Sequence, residues 1–227
     1  MSVVGIDQSA TGTAMVRLDE VAHLVDQRFY ADTKGDARRW EQFGALEPVK
    51  VRAGDLRSQT YRLDQLDSQL QDFLIDSSGK VPVVRDTHAA LEDYALARKA
   101  FSHALGEIGG TVKLRLWNER IPFRAYDPQA VKIFVTGKGN ADKTQMIDGV
   151  KRKWGEDWRQ YGRKDDGSAG NLADAFAIAM MLWTELQVRA GEIDLRDLPE
   201  EERRVFLRAT KQNPVNLLDL PFVLADE

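Results

Sequence analysis

The sequence predicts an α/β domain built on a mixed β-sheet, and three observations support this. Five short apolar segments have the length and the flanking turn residues of strands. Longer segments with apolar residues at helical spacing separate and follow the later strands. At 227 residues and 43% hydrophobic content, the chain can bury one sizeable core and has little room for a second. We therefore expect one globular domain.

Three strands are predicted within the first 31 residues, as a meander. They are the segments VVGI, TAMVRL and 21–30, separated by Ser-Ala-Thr-Gly and Asp-Glu turn sequences. Residues 33–56 are polar and lack a clear period, which predicts an irregular surface insertion.

Helices and strands alternate beyond this insertion. Apolar residues recur at helical spacing over 63–74, and a strand then ends in the adjacent acids Glu92 and Asp93. The remaining predicted elements are helices at 97–112, 127–135, 141–154 and 172–188, and the strand IPFRAYD. Residues 191–227 are acidic and contain three prolines, which favours a helical turn with a solvated appendage over a partner-binding or dimer-covering arm.

The composition excludes several kinds of site. The chain has no cysteine, which excludes disulfides, thiolate metal ligands and a cysteine nucleophile. The histidines His23, His88 and His103 lack zinc-type spacing, so we interpret them as structural. No apolar run reaches the roughly 20 residues that span a bilayer, and MSVVGIDQS does not resemble a signal peptide. We therefore expect a cytoplasmic protein.

Positive charge is concentrated in the middle of the chain. The net charge is −4, yet residues 98–164 contain 15 lysines and arginines against 7 acids. The local field, and not the total charge, attracts a polyanion. This basic stretch therefore fits contact with nucleic-acid phosphates, although a solvated helix face explains it equally well.

Three acids lie inside otherwise apolar sequence, where an ionised carboxylate is unfavourable. They are Asp7 after VVGI, Glu92 after HAAL, and Asp174 within NLADAFAIAMML. Each acid also has a structural interpretation of its own. Asp7 fits a turn residue, Glu92 a surface acid at a strand end, and Asp174 an acid in the first turn of a helix. We expect them to meet, because the first and fourth strands of such a sheet are neighbours and the last helix can cross their ends. Oxygen ligands suit magnesium or manganese, and two such ions can promote phosphodiester hydrolysis.

Four blocks of sequence occur in the order GIDQSATGTAMV, ALEDYALARKAFSHALGEIGGTV, GKGNADKTQM and NLADAFAIAM. In content and order they resemble the RuvC family of Holliday junction resolvases. The resemblance covers most of residues 2–186 and is weakest over 33–56. It implies an RNase H-like fold, a five-stranded mixed sheet with helices on both faces, in a nuclease domain of residues 1–190 followed by the acidic appendage.

The resemblance also implies an activity. Members of the family are homodimers that cut four-way DNA junctions by paired nicks, and this resemblance implies Mg²⁺ as the cofactor, with two ions per active site and Mn²⁺ able to substitute. By position, Asp7, Glu92 and Asp174 fall on the family's catalytic, metal-binding acids. Lys143 falls on a lysine near the nucleic-acid backbone, and we expect Lys138 and Lys132 to bind DNA with it. A divergent resolvase of this size would suit phage DNA debranching.

Two positions depart from the family pattern. Asn171 stands one helical turn before Asp174, where the family often has a further acid, and its amide oxygen could ligate a metal or hold a water. Asp165 and Asp166 are alternative acids, which we interpret as loop residues. Some resolvases open the junction with an aromatic residue just after the glutamate. The nearest aromatic residue here is Tyr94, which is offset by one position. A residue of this kind more often belongs to the core.

Other functions stay open from the sequence. The same site could act on flaps, other branched DNA or structured RNA, because fold alone does not specify substrate. The asparagine also leaves room for a non-catalytic junction-binding module. GIDQSATGTA further resembles the first phosphate loop of ATP-binding proteins of the sugar-kinase and actin type, but the second Gly-rich loop that they need is not found in the sequence.

Overall fold

The computed structural model describes residues 1–9, 12–31, 55–74, 87–93, 102–161 and 167–212. Five strands in these ranges form one sheet in the order β3-β2-β1-β4-β5. The strands are β1 (Ser2–Ser9), β2 (Gly12–Leu18), β3 (Leu24–Ala31), β4 (Thr87–Glu92) and β5 (Phe123–Tyr126). The helices are α1 (Leu56–Leu74), α2 (Ser102–Asn118), α3 (Pro128–Thr136), α4 (Lys143–Trp154), α5 (Gly167–Ala190) and α6 (Glu200–Gln212). Over the described ranges, none of the helices combines the length and the apolar character needed to cross a membrane.

The sheet is mixed because its central strand, β1, pairs antiparallel with β2 and parallel with β4. β2 pairs antiparallel with β3, and β4 pairs parallel with β5. The predicted pairing of the first and fourth strands is confirmed, with Ile6 opposite Leu91. The carboxyl ends of β1, β4 and β5 therefore meet at one edge of the sheet.

Alternate side chains of the strands face two helical layers. Val3, Ala90 and Tyr126 belong to the core cluster that includes α3, α4 and α5. Val4 and Leu91 belong to the cluster formed with α1 and α2. Because strand side chains alternate between faces, the acids at the ends of β1 and β4 lie on the α5 side of the sheet.

Helix α5 crosses β1 at Gly5 so closely that no larger residue fits there. A Cβ atom at this position would lie 2.6 Å from the backbone nitrogen of Ala179 and would overlap the carbonyl oxygen of Ala175. Only glycine permits this approach of backbone to backbone. The contact brings Asp174, the neighbour of Ala175, to the face of the sheet on which Asp7 lies.

A buried ionic network joins β5 to α5. Glu185 accepts hydrogen bonds from Arg189 Nε (2.9 Å) and from Tyr126 Oη (2.6 Å), and Arg124 Nε lies 3.1 Å from the same carboxylate. All four side chains are buried. The network holds β5, the outermost strand, against α5. It thereby positions the carboxyl ends of β4 and β5.

The predicted elements are confirmed, with shifted boundaries. The helix predicted at 97–112 is observed over Ser102–Asn118, and residues 94–101 lie outside the described ranges. The predicted insertion at 33–56 also lies outside them, apart from its last two residues. Asp55 accepts a hydrogen bond from the Arg57 amide at 3.1 Å, at the start of α1, so the irregular segment ends earlier than expected.

The C-terminal segment differs from its prediction in its described part. The expected helical turn is present as a 3-10 turn, Leu195–Asp197, but the chain then forms α6 and not a solvated extension. Val205 and Phe206 are buried, because α6 packs on α3. Three adjacent apolar residues, VFL, among many charges are too short a pattern to reveal this packing. Residues 213–227 lie outside the described ranges, and the domain boundary at 190 stays a prediction.

Candidate active site

Asp7, Glu92 and Asp174 converge at the edge where β1 and β4 end. Asp7 is buried within β1, Glu92 is the last residue of β4, and Asp174 lies well inside α5. The side chains of Asp7 and Glu92 share a hydrogen bond, and the Asp174 carboxylate interacts electrostatically with both. The structure therefore brings the three predicted acids together. The interpretations of Asp7 as a turn residue and of Asp174 as a first-turn acid are wrong.

Burial and mutual repulsion raise the pKa of each carboxyl group. Burial raises the pKa of Asp7 well above its usual value, and the charges of Glu92 and Asp174 raise it further. Burial also raises the pKa of Glu92. Burial, followed by the Glu92 charge, raises the pKa of Asp174 to about 7. Three carboxyl groups this close in a buried pocket are not all ionised unless a cation compensates them.

Two lysines of the basic stretch lie near these carboxyl groups. The positive charges of Lys143, at the start of α4, and Lys132, in α3, both lower the pKa values of Glu92 and Asp174. Lys138 lies in the turn after α3 and is exposed. The structure thus places Lys143 and Lys132 at the acidic cluster and leaves Lys138 on the surface.

Asn171 is buried one helical turn before Asp174, with its amide oxygen directed at Lys143. Its Oδ1 atom accepts a hydrogen bond from Lys143 Nζ at 2.6 Å. Its Nδ2 atom donates to Ser9 Oγ at 3.4 Å and to the Gly12 carbonyl oxygen at 3.5 Å. The amide nitrogen thus faces the last residue of β1 and the first residue of β2, and the amide oxygen faces Lys143, whose charge lowers the pKa values of the carboxyl groups.

The donor atoms of this pocket fit a hard divalent cation. Asp7, Glu92, Asp174 and Asn171 offer only oxygen atoms, which Mg²⁺ and Mn²⁺ prefer. Within the described ranges, no three acidic or histidine side chains are already arranged so that they could hold a metal ion. Asp7 and Glu92 instead share a hydrogen bond, which requires a proton between them. A cation could replace that proton. The predicted ligands are therefore close together, but they are not yet in the geometry that would coordinate a metal ion.

Three of the predicted residues, Tyr94, Asp165 and Asp166, fall outside the described ranges. Of the two adjacent acids after HAAL, Glu92 is the one that shares the hydrogen bond with Asp7, while the Asp93 backbone nitrogen donates to β5.

The sequence interpretation missed Asp127, which directly follows β5. This residue caps α3 by accepting a hydrogen bond from the Gln129 amide at 2.9 Å, and its charge raises the pKa of Glu92. An aspartate followed by Pro128 at a helix start is a capping signal that the sequence displays. Its position beside Glu92 depends on the order of the strands, which the capping signal does not reveal.

Comparison with solved structures identifies the class of fold. The Thermus thermophilus RuvC structure matches 84% of this chain and 97% of its own, with a TM-score of 0.54 and 20% sequence identity. A structure of T. thermophilus RuvC in complex with Holliday junction substrate matches 84% of this chain and 96% of its own, with a TM-score of 0.54 and 21% identity. The fold is therefore RNase H-like, which confirms the predicted fold class.

Sequence comparison identifies the family within that class. The family model for crossover junction endodeoxyribonuclease RuvC matches residues 51–181, more than half of the chain. RuvC of Helicobacter hepaticus is 29% identical over 168 residues, which cover 73% of this chain and 79% of that protein. RuvC of Prochlorococcus marinus strain MIT 9313 is 30% identical over 95 residues, so the match spans 42% of this chain and only 57% of that relative. The chain belongs to the RuvC family, as its sequence blocks predicted.

Proposed function

We propose that the protein is a structure-selective DNA endonuclease that resolves four-way junctions by paired nicks. The observation that carries the proposal is the convergence of Asp7, Glu92 and Asp174 beside Lys143, in a member of the RuvC family. The relatives are named crossover junction endodeoxyribonucleases, and one solved T. thermophilus RuvC is in complex with a Holliday junction substrate.

The acidic cluster would hold the metal ions on which the reaction depends. Asp7, Glu92, Asp174 and the amide oxygen of Asn171 are the proposed ligands, for two Mg²⁺ ions that Mn²⁺ can replace. When bound, such ions supply a water that is activated near neutral pH and stabilise the leaving oxygen. Because their pKa values are raised, the carboxyl groups release protons when a cation binds.

The basic side chains around the cluster would position the DNA strand. Lys143 and Lys132 attract the scissile phosphate toward the carboxylates, and the exposed Lys138 is proposed to bind a phosphate further along. Holding the phosphodiester in this place lowers the entropic part of the barrier to hydrolysis. A DNA contact by Tyr94 remains a prediction.

Paired nicks need two active sites on one junction, so we propose a homodimer. Helix α2 presents Leu114 and Trp117, which are three residues apart on one face and are 60% and 66% exposed. Large apolar side chains grouped in this way are typical of surfaces that another protein covers. A two-fold symmetric contact through α2 would bury both. We also propose that the protein acts in the cytoplasm of a bacterial or phage-infected cell.

The test is cleavage of a fluorescently labelled four-way junction with Mg²⁺, by the wild type and by Asp7→Asn. We expect symmetric nicks from the wild type and a rate reduced by about a hundredfold or more in the variant, because one proposed metal ligand is lost. Equal cleavage by both proteins would refute the catalytic assignment.

Parallel substrates separate the alternative functions. A linear duplex, a flap and an RNA hairpin are compared with the junction at equal concentration. Preferential cleavage of RNA or of the flap would keep the active site and reject the resolvase function. Tight junction binding without cleavage in Mg²⁺ or Mn²⁺ would instead indicate a non-catalytic junction-binding module.

A further inference from the structure

Helix α6 lies beyond residues 51–181, which the family model matches, and packs antiparallel on α3. Lys153 Nζ donates to the Phe134 carbonyl oxygen, near the end of α3, and pairs with Glu202 of α6, both at 2.8 Å. The buried ring of Phe206 packs edge-on against Phe134, with the ring centroids 5.9 Å apart. The first turn of α6 is therefore fixed at the end of α3, and its later turns run back toward the start of α3.

The later turns of α6 reach the catalytic edge of the sheet. Arg208 Nη2 lies 3.4 Å from Asp127 Oδ2, at the N-terminus of α3. Asp127 directly follows β5, whose last residue, Tyr126, is the register partner of Glu92. The guanidinium of Arg208 thus lies beside Asp127, whose charge acts on Glu92, and we call this position the rim of the acidic cluster.

Charge is distributed unevenly along α6. Its acids, Glu200, Glu201 and Glu202, occupy the first turn, where the helix dipole favours them, at the end distant from the site. Arg204 and Arg208 are exposed and one helical turn apart, which places them on one side of the later turns. The segment predicted to be an acidic appendage therefore presents positive charge where it meets the active-site edge.

We propose that α6 extends the nucleic-acid interface, with Arg208 binding a phosphate next to the one at the carboxylates. The inference rests on the proposed function and adds a binding element outside the family match. The Arg208 side chain is 49% exposed, and its ion pair with Asp127, at 3.4 Å, is open to solvent. A DNA strand carries one charge per nucleotide, so a phosphate that flanks the scissile one would lie within reach of a cation at this rim. Arginine binds a phosphate with two parallel N–H donors.

The test measures junction binding by the full-length chain with Asp7→Asn, which removes cleavage. Fluorescence anisotropy gives the Kd of a labelled four-way junction over a salt series from about 50 to 200 mM. We expect Arg208→Gln to weaken binding by about five- to tenfold and to reduce the slope of log K against log salt by about one. Arg208→Lys, which keeps the charge, should recover part of the loss.

Arg196→Gln is the matched control. Arg196 also belongs to the C-terminal segment, is 77% exposed and pairs with Asp194, so its removal changes the net charge equally. We expect this control to bind as the parent does. Unfolding temperatures of both variants within about a degree of the parent would exclude a folding defect, since exposed ion pairs stabilise little.

The binding and cleavage results separate the role of α6 from the endonuclease proposal. If Arg208→Gln binds as tightly as Arg196→Gln, α6 is only a structural cover of α3 and the inference is overturned. If the wild type binds the junction without cutting it, the endonuclease proposal fails while the comparison of the two arginine variants still decides the role of α6. If the wild type binds no junction, both proposals fail.

Discussion

Asp174 shows how a single residue of the site weakens the metal-free protein. Its pKa of about 7 lies above the ordinary value of 3.8, so the folded state binds the proton more tightly than the unfolded state does. The stabilisation from that proton is complete below about pH 4 and is lost as the pH rises through about 7. The metal-free protein is therefore expected to be less stable at slightly alkaline pH than at mildly acidic pH.

Asp174→Asn should reverse this effect and abolish cleavage. In EDTA at about pH 8, we expect the variant to unfold several degrees above the wild type, since one kcal/mol corresponds to roughly 2–4 °C for a domain of this size. The difference should shrink as the pH falls toward about 4, because the wild-type carboxyl is then protonated in both states. Calorimetry across this range measures it. A difference in unfolding temperature that grows toward acidic pH would contradict the raised pKa of Asp174.

Asn171 is the second residue whose role can be measured separately. Asn171→Ala removes the oxygen that accepts a hydrogen bond from Lys143 Nζ. We expect the Mg²⁺ concentration for half-maximal cleavage to rise about tenfold, as for the loss of a supporting group around a metal site. Asn171→Asp keeps an oxygen beside Lys143 and should retain cleavage. An unchanged Mg²⁺ requirement in Asn171→Ala would exclude this side chain as a ligand.

The contact between α5 and β1 is the element on which the site depends most directly. Asp7 and Asp174 approach each other because Gly5 lets the backbone of α5 rest on the strand at Ala175 and Ala179. A side chain at this position would separate the two elements, and the alanine surface of α5 would lose its packing.

Gly5→Val tests this contact. We expect it to lower the free energy of unfolding by about 3 kcal/mol, because overpacking of a rigid core costs about this much, and to abolish cleavage by displacing Asp174 from Asp7. Gly106→Ala is the control, since a Cβ atom there meets nothing within 4 Å. It should stabilise α2 by about 0.4–1 kcal/mol and leave cleavage unchanged. Urea unfolding compares the variants, and a Gly5→Val protein as stable as the wild type would refute the close approach.

At the scale of the whole molecule, assembly should decide whether nicks are paired. Trp117→Glu places a charge in the apolar face of α2, so we expect a monomer at low micromolar concentration that cuts one strand without coupling to the second cut. Val25→Glu is the control, because Val25 is similarly exposed, at 61%, but lies on β3. Sedimentation velocity measures the mass of each protein. A dimeric Trp117→Glu variant would exclude α2 as the interface.

Much of this molecule can be predicted from sequence because the relevant signals are local. The short apolar run of β1, the helical spacing in α1 and the apolar length of α5 depend on neighbouring residues, and each element is observed where its pattern lies. Acids inside apolar segments also stand out locally, since burial makes them unfavourable without compensation. Asp7, Glu92 and Asp174 could therefore be selected, and their blocks indicated the family that the comparison confirmed.

The groups that surround these three acids follow from the packing of distant segments of the chain. Arg208 and Asp127 are 81 residues apart, and they meet because α6 packs antiparallel on α3 beside β5. The amide oxygen of Asn171 faces Lys143 because its nitrogen is held by residues at the opposite end of the chain. The elements and the acidic residues could be predicted from sequence, because periodicity and burial are properties of short segments. The positions of the cations and of α6 depend on strand order and helix packing, which join distant segments and leave no local pattern.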